Sequence, residues 1–189
     1  MVKMAKNKEA KEEKTKKEIK IKADFDAEIV LSRDNEAKNL YEQSRFGELK
    51  EDKVQYSLVE ALYLLEKGKM DIVKGKKILS PEEFIKKANR LEPNFWVRYV
   101  VFKDMRNRGY IVKTALKFGA DFRVYERGVK PGEDHAKWIL YPIHETYIMP
   151  LYEFAAKNRV AHSTRKRLLI GIVDEESDVT YYTVAWTRP

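Results

Sequence analysis

A helix bounded by proline near the middle of the chain most constrains how this sequence can fold. The run Ser80-Pro81-Glu82-Glu83 is a capping box with proline at the first helical position, so it predicts a helix from there to about Leu91. Glu92-Pro93 then ends the helix, because proline disfavours helical backbone at the residue before it. We therefore predict two structural units, residues 23–92 and residues 93–189.

Strand-like patterns flank this helix on both sides. Before it, the predicted elements are strands in residues 23–31 and 44–56 and a helix over residues 58–67. After it, they are a helix from residue 94, strands over 110–118, 120–125 and 137–143, a helix over 150–160, and a hairpin of 167–173 and 179–186. This order predicts an α+β N-terminal domain followed by an α/β C-terminal domain with a central mixed β-sheet.

Positive charge is concentrated at the N-terminus. The chain of 189 residues has a net charge of +8, of which +5 comes from nine Lys and four Glu in residues 1–22. That segment has almost no apolar residues, so we predict a charged, disordered tail. The basic balance favours an anionic partner, although the body of the chain is only weakly basic.

Composition excludes several classes of protein. The chain has no Cys, which rules out a disulfide framework, a thiol nucleophile and a cysteine-bound metal, and its three His leave little room for a histidine metal site. No apolar run approaches the roughly 20 residues that cross a bilayer, and no apolar segment follows the N-terminal lysines as in a secretory signal. We expect a soluble, cytoplasmic protein that uses neither a metal nor another cofactor and has no membrane partner.

Tyr125, His135 and Lys166 each lie at the end of a predicted element, where a scaffold can present a side chain to a ligand. Taken singly, each has an ordinary explanation as a packed tyrosine, a solvated histidine or a surface lysine. Together, a phenol, an imidazole and an ammonium suit metal-free cleavage of RNA, in which the ribose 2′-hydroxyl attacks the adjacent phosphate. DNA lacks that nucleophile.

Long motifs in both halves of the chain resemble one family. In the second half they are RGYIVKT at residues 108–114, KFGADFRVY at 117–125, His135, and RVAHSTRK at 159–166. In the first half they are FGEL at residues 46–49 and SLVEALYLLEKG at 57–68. In this order they are similar to archaeal tRNA-splicing endonucleases over about residues 23–189.

The resemblance implies a catalytic triad of Tyr125, His135 and Lys166. The family cuts precursor tRNA at a bulge-helix-bulge without a metal, leaving a 2′,3′-cyclic phosphate and a 5′-hydroxyl. By this resemblance His135 protonates the departing 5′ oxygen, Lys166 stabilises the phosphorane, and Tyr125 faces the 2′-hydroxyl. A free phenol is ionised to only about one part in a thousand at pH 7. Tyr125 is therefore either a base assisted by neighbouring cations or an orienting hydrogen-bonding group.

Two arginines are candidates for binding the RNA. Arg159 resembles one of two family arginines that sandwich a flipped bulge base by stacking and cation–π contacts. Arg188, near the C-terminus, is the candidate for the second. The alternative for both is an ordinary solvated side chain.

An acidic turn is the candidate for subunit assembly. Its carboxylates are Asp174, Glu175, Glu176 and Asp178. In the family this loop inserts into a basic cleft of another subunit, which implies a homotetramer built as a dimer of dimers, with residues 179–186 as an apolar edge strand. A heterotetramer with a separate structural subunit and a solvated hairpin without any partner are the alternatives.

Two other functions compete with RNA cleavage. A non-catalytic RNA-binding or structural subunit of a splicing complex would share the fold and charge, but it would not be expected to keep all three side chains of the triad. A metal-dependent DNA nuclease could use Asp121 and Glu126 as carboxylate ligands, yet no second pair of carboxylates accompanies them.

Overall fold

Two mixed β-sheets, one in each half of the chain, organise the fold. The structure is a computed structural model that describes residues 20–115 and 119–187. The elements of the first half are β1 (Ile21–Asp26), β2 (Ile29–Ser32), α1 (Asn35–Ser44), β3 (Glu48–Lys50), β4 (Lys53–Tyr56), α2 (Leu58–Glu66), β5 (Met70–Lys74), β6 (Lys77–Ile78) and α3 (Pro81–Leu91). Those of the second half are α4 (Phe95–Asn107), β7 (Ile111–Thr114), β8 (Phe122–Tyr125), β9 (Trp138–His144), α5 (Leu151–Ser163), β10 (Arg167–Val173) and β11 (Val179–Val184).

Each sheet contains one parallel pair within an otherwise antiparallel order. The first sheet has the strand order β3-β4-β2-β1-β5-β6, with β1 and β5 parallel. The second has the order β11-β10-β9-β8-β7, with β9 and β10 parallel and α5 as their crossover. The predicted fold class, an α+β domain followed by an α/β domain with a mixed sheet, is confirmed.

Helices α4 and α5 cover opposite faces of the second sheet. Along β9, Leu140 belongs to the core that includes the buried residues of α4, whereas Ile139 and Tyr141 pack in a second cluster with Ala161 of α5. This division follows from the strand geometry, because successive side chains point to opposite faces. A strand buried on both faces accordingly reads as a continuous apolar run.

The larger core continues across the two halves of the chain. The ring of Phe102 on α4 lies 6.0 Å from that of Tyr63 on α2 and 5.9 Å from that of Phe122 on β8. The predicted boundary at Glu92-Pro93 falls between α3 and α4. Helix α4 thus begins the second half of the chain and packs against elements of both halves.

A buried ion pair also joins the two halves. Lys113 of β7 donates from Nζ to the main-chain oxygens of Arg45, at 3.0 Å, and Gly47, and lies 3.3 Å from Oε1 of Glu60 on α2. Glu60 in turn accepts from the backbone N–H groups of Gly47 at 2.9 Å and Ser57 at 3.0 Å. Both charged side chains are only 6% exposed. Such charges are tolerated inside a protein only with partners of this kind.

The structure differs from the sequence-based expectation in the N-terminal half. β1 begins at Ile21, two residues before the predicted start of the domain, and Ile21 is buried in the core. Residues 1–19 of the predicted tail lie outside the described residues. Helix α1 was not predicted, because most of its residues are polar, although Ala37, Leu40 and Tyr41 have helical spacing and contact the core.

Smaller differences occur later in the chain. The short hairpin of β5 and β6 was not predicted. The strand expected over residues 110–118 spans only Ile111–Thr114, and residues 116–118 lie outside the described part of the chain. Helix α5 continues three residues beyond its predicted end, to Ser163.

Replacing Lys113 with alanine should lower the free energy of unfolding by about 3–5 kcal/mol, because it leaves the Glu60 carboxylate buried without its cation. Lys103 on α4 provides a matched control. Its Nζ lies 2.6 Å from Glu66 on α2, so this ion pair also joins the two halves of the chain, but at the surface. Lys103→Ala should cost about 0–1 kcal/mol. Denaturant unfolding followed by circular dichroism measures both losses. Equal losses would show that burial of the Lys113–Glu60 pair does not set its contribution to stability.

Candidate active site

Strand register brings three chain segments together where the central strands β8, β9 and β10 of the second sheet begin or end. Trp138, the first residue of β9, pairs with Val124 of antiparallel β8 and with Arg167, the first residue of parallel β10. The ladder extends one step further, because Lys137 N donates to Val124 O at 2.9 Å and Arg167 N donates to Lys137 O at 3.0 Å. The C-terminal end of β8 therefore lies beside the N-terminal ends of β9 and β10.

Tyr125, His135 and Lys166 meet at this common end of the three strands. They line one open cavity of about 410 Å³. Its other lining residues are Arg123, Gly132, Glu133, Asp134 and Ala136. The structure thus brings together the three side chains that the sequence predicted, each from a different segment of the chain.

The three side chains differ in exposure. Tyr125 is buried, at 5% exposed, because it belongs to β8 itself. His135 is exposed on the loop before β9, and Lys166 is half-buried between α5 and β10. Within the described part of the chain, neither the Tyr125 hydroxyl nor the His135 imidazole makes a hydrogen bond, so both are available to a ligand.

The turn after α5 positions Lys166. The backbone N–H of Lys166 donates to Ala161 O at 2.8 Å, and its Nζ donates to Thr164 O at 2.8 Å. Arg165 has a left-handed backbone, with φ of 55°, which reverses the chain direction between the helix and β10. The ammonium is therefore held at the C-terminal end of α5, where a cation is favoured by the helix dipole.

Internal hydrogen bonds hold the loop that carries His135. Glu133 N donates to Lys130 O at 3.0 Å, and the Glu133 side chain accepts from Lys130 N at 3.1 Å. Asp134 Oδ1 accepts from the backbone N–H of His135 at 2.6 Å. Gly132 has φ of 97°, a conformation that only glycine adopts without strain. The loop is thus shaped by its own contacts and leaves the imidazole free.

The two predicted RNA-binding arginines are not part of this cavity. Arg159 is exposed on α5, about one helical turn before the helix ends at Ser163, and does not line the cavity. Arg188 lies outside the described residues. Their roles stay predictions.

The acidic turn lies at the opposite end of β10 from the triad. Asp174 Oδ1 accepts from the backbone N–H of Asp178 at 2.8 Å, and Ser177 has φ of 67°, so the turn is a tight hairpin. Glu175 and Glu176 are exposed. Since the seven residues of β10 separate the two sites by roughly 23 Å, the turn cannot touch the triad of its own chain.

Asp121 and Glu126, the carboxylates of the DNA-nuclease alternative, flank the two ends of β8. Asp121 pairs with Arg98 at 2.8 Å, and Glu126 pairs with Lys137. Burial raises the pKa of the Asp121 carboxyl, and the nearby Arg98 opposes this rise. Four strand residues, or about 13 Å, lie between these carboxylates, so they cannot share one ion. The described residues contain no cluster of three or more His, Asp or Glu that could hold a metal.

Comparison with known families accounts for both halves of the chain. Residues 21–85 match the model of the tRNA intron endonuclease N-terminal domain, and residues 95–181 match that of the tRNA intron endonuclease catalytic C-terminal domain. The gap between the two matches contains the predicted boundary at Glu92-Pro93. In the described residues, no helix is long and apolar enough to cross a membrane.

Curated archaeal relatives are similar over most of their length. The tRNA-splicing endonuclease of Methanothermobacter thermautotrophicus is 42% identical over 164 residues, covering 87% of this chain and 95% of the relative. That of Nanoarchaeum equitans is 47% identical over 144 residues, covering 73% and 92%. That of Thermococcus gammatolerans is 43% identical over 160 residues, covering 84% and 94%. The chain belongs to the tRNA-splicing endonuclease family.

Proposed function

We propose that this chain is a catalytic endoribonuclease that excises introns from precursor tRNA in the cytoplasm by cutting at bulge-helix-bulge structures. The observation that carries the proposal is the convergence of Tyr125, His135 and Lys166 on one cavity. The reaction is a metal-independent transesterification that leaves a 2′,3′-cyclic phosphate and a 5′-hydroxyl.

In this reaction the ribose 2′ oxygen forms a bond to phosphorus while the bond from phosphorus to the 5′ oxygen breaks. His135, whose imidazole is exposed in the cavity, donates a proton to the departing 5′ oxygen. Lys166, whose ammonium is held by Thr164 O, stabilises the negative charge of the phosphorane. A fixed cation is effective here because it needs no reorganisation when the charge develops.

Tyr125 faces the nucleophile. Its ring is buried, so the position of its hydroxyl is fixed by packing. As an orienting group it holds the 2′-hydroxyl in line with the departing oxygen, and the 2′ proton passes to solvent water. As a base it accepts the 2′ proton itself, assisted by neighbouring cations. Both roles require the hydroxyl, and both favour a bulged nucleotide, because a stacked nucleotide cannot turn its 2′-hydroxyl into line.

Recognition of the bulge would involve Arg159. Its side chain is exposed on the helix that leads to Lys166, so a base stacked on its guanidinium would lie near the cavity. Arg188 is proposed as the second member of this base sandwich from the sequence alone.

Assembly into a homotetramer would involve the acidic turn. Glu175 and Glu176 are exposed on a hairpin that hydrogen bonds within the turn hold rigid. Carboxylates concentrated in this way suit a basic cleft on another subunit. Because the turn lies far from the triad of its own chain, its effect on activity would be exerted on another subunit. A heterotetramer with a structural subunit is the alternative arrangement.

The proposal is tested by single-turnover cleavage in EDTA of a bulge-helix-bulge RNA and of the same RNA with one 2′-deoxy nucleotide 5′ to the scissile phosphate. The wild-type protein should cut the first and bind the second without cutting it. Cleavage of the deoxy substrate, or a 2′,3′-diol as the first product, would show that water is the nucleophile. Binding without any cleavage would favour the non-catalytic subunit. An all-deoxy analogue that is cut only when Mg²⁺ replaces EDTA would favour the DNA nuclease.

In the same assay His135→Ala should slow cleavage by a factor of about 10² to 10⁴ with little change in RNA affinity, because it removes a general acid. His144→Ala is the control for loss of an imidazole, since His144 lies at the other end of β9 and bonds to Thr146. Because its Nε2 lies 4.0 Å from Glu175 of the acidic turn, light scattering checks that this variant keeps the wild-type oligomeric state. That control should stay within a few-fold of wild type. Near-normal cleavage by His135→Ala would remove this residue from the mechanism.

Lys166→Met should lower the maximal rate by about 10²-fold or more, because it removes a cation aimed at the developing charge. Lys137 is its neighbour in the ladder and is the matched control, since its ammonium is paired with Glu126 and packs 4.8 Å from the Trp138 ring centroid. Lys137→Met should remain within a few-fold of wild type. Equal losses in the two variants would mean that general positive charge, not position, matters.

Replacing Glu175 and Glu176 together with glutamine should convert the tetramer to a dimer and lower activity, because the charges that meet the basic cleft are removed while Asp174 still holds the turn. Glu48→Gln with Glu51→Gln, on the exposed β3–β4 hairpin, is the control with the same change of charge. Light scattering and single-turnover cleavage measure the two effects. A fully active tetramer in the first variant would leave the turn as a solvated hairpin.

A further inference from the structure

Arg123 shares a face of β8 with Tyr125. Phe122 and Val124 point into the core that contains α4, so the alternate residues Arg123 and Tyr125 point to the other face. Arg123 lines the same cavity as the triad. Neither the spacing of motifs nor the family resemblance had singled out this arginine for a role.

The Arg123 side chain has no partner in the part of the chain that the structure describes. Its Nε is buried and makes no hydrogen bond, and the side chain forms neither an ion pair nor a ring contact. By contrast, Lys113, which is in register with Arg123 on β7, pairs with Glu60, and Lys137 at the start of β9 pairs with Glu126. Because a buried guanidinium N–H without an acceptor is unfavourable, an oxygen that reaches Arg123 through the cavity would be bound favourably.

The acidic residues of the cavity do not supply the missing acceptor. Glu133 accepts from the backbone N–H of Lys130, and Asp134 accepts from that of His135, so these contacts shape the loop. Neither carboxylate lies within ion-pair distance of the guanidinium. Among the described residues, no side chain accepts a hydrogen bond from Arg123, so its N–H groups are open to an acceptor that enters the cavity.

We propose that Arg123 binds a nonbridging oxygen of the scissile phosphate. The guanidinium is a planar fork whose N–H groups match the geometry of phosphate oxygens, whereas an ammonium acts as a point charge. Arg123 thus fixes the orientation of the phosphate, and Lys166 stabilises the charge that develops on it. This inference rests on the proposed function, since it requires that the cavity bind an RNA phosphate.

The test combines Arg123 variants with sulfur substitution in the RNA. Single-turnover rates and half-saturating concentrations are measured for wild type, Arg123→Met, Arg123→Lys and Arg127→Met, on RNA with an all-oxygen, Rp or Sp phosphorothioate scissile phosphate. Arg127 is the matched control, because it follows Tyr125 by two residues and stacks on Tyr110 at 4.9 Å instead of lining the cavity.

Arg123→Met should slow the maximal rate at least about tenfold, because loss of an orienting contact misplaces the reacting phosphate. Arg123→Lys should be intermediate, and Arg127→Met should match wild type. In wild type one diastereomer should react more slowly than the all-oxygen RNA, because sulfur is a poor acceptor from a guanidinium. In Arg123→Met that difference should shrink severalfold for this diastereomer alone.

The possible results separate this inference from the proposed function. If the wild-type protein does not cut RNA, the proposed function fails and the inference fails with it. If wild type cuts RNA but Arg123→Met is equally fast, or is slow with unchanged sulfur effects, the proposed function stands and the inference is overturned. If Arg123→Met does not fold, Arg123→Lys carries the test: unchanged sulfur effects there would also overturn it.

Discussion

The pairing of β9 with its two neighbours is the constraint on which the candidate site depends. Trp138 is in register with Val124 on one side and Arg167 on the other. Tyr125, His135 and Lys166 therefore meet at the same end of these three strands, although they come from different segments of the chain. A shift of one residue in either pairing would turn the alternate side chains to the wrong face. Burial on both faces of β9 opposes such a shift, because it would exchange the side chains facing α4 and α5.

The buried and half-buried cations are of two kinds, those paired with a carboxylate and those without one. Lys113 bonds to Glu60 and to two backbone carbonyls, and thereby joins the second sheet to the N-terminal half. Arg123 and Lys166, by contrast, have no carboxylate partner in the described structure and line the same cavity as His135. In the proposed function, each available cation favours binding of an RNA phosphate in this cavity without making the surface as a whole strongly basic.

The sequence contained enough information to predict the fold class and to select the three residues that meet in the cavity. Capping residues and Pro93 set the limits of α3, and the family motifs included Tyr125 and Lys166. Helix α1 was missed because its apolar positions are few among polar residues. Arg123 was missed for a different reason: its alternation with Tyr125 was visible, but only the structure shows that its Nε is buried without an acceptor. Hydrogen-bond satisfaction depends on neighbours distant in sequence, so no local pattern reveals it.

In the proposed reaction, His135 protonates the departing 5′ oxygen of the phosphate whose developing charge Lys166 stabilises. This role is tested most directly with an RNA in which sulfur replaces that 5′ oxygen, because a thiolate is a much better leaving group than an alkoxide and needs no general acid. Single-turnover rates of this RNA are compared for wild type, His135→Ala and Lys166→Met. We expect the sulfur substrate to restore His135→Ala to within about tenfold of wild type and to leave Lys166→Met slow. If His135→Ala stays as slow on the sulfur substrate as on normal RNA, His135 is not the general acid and the account is wrong.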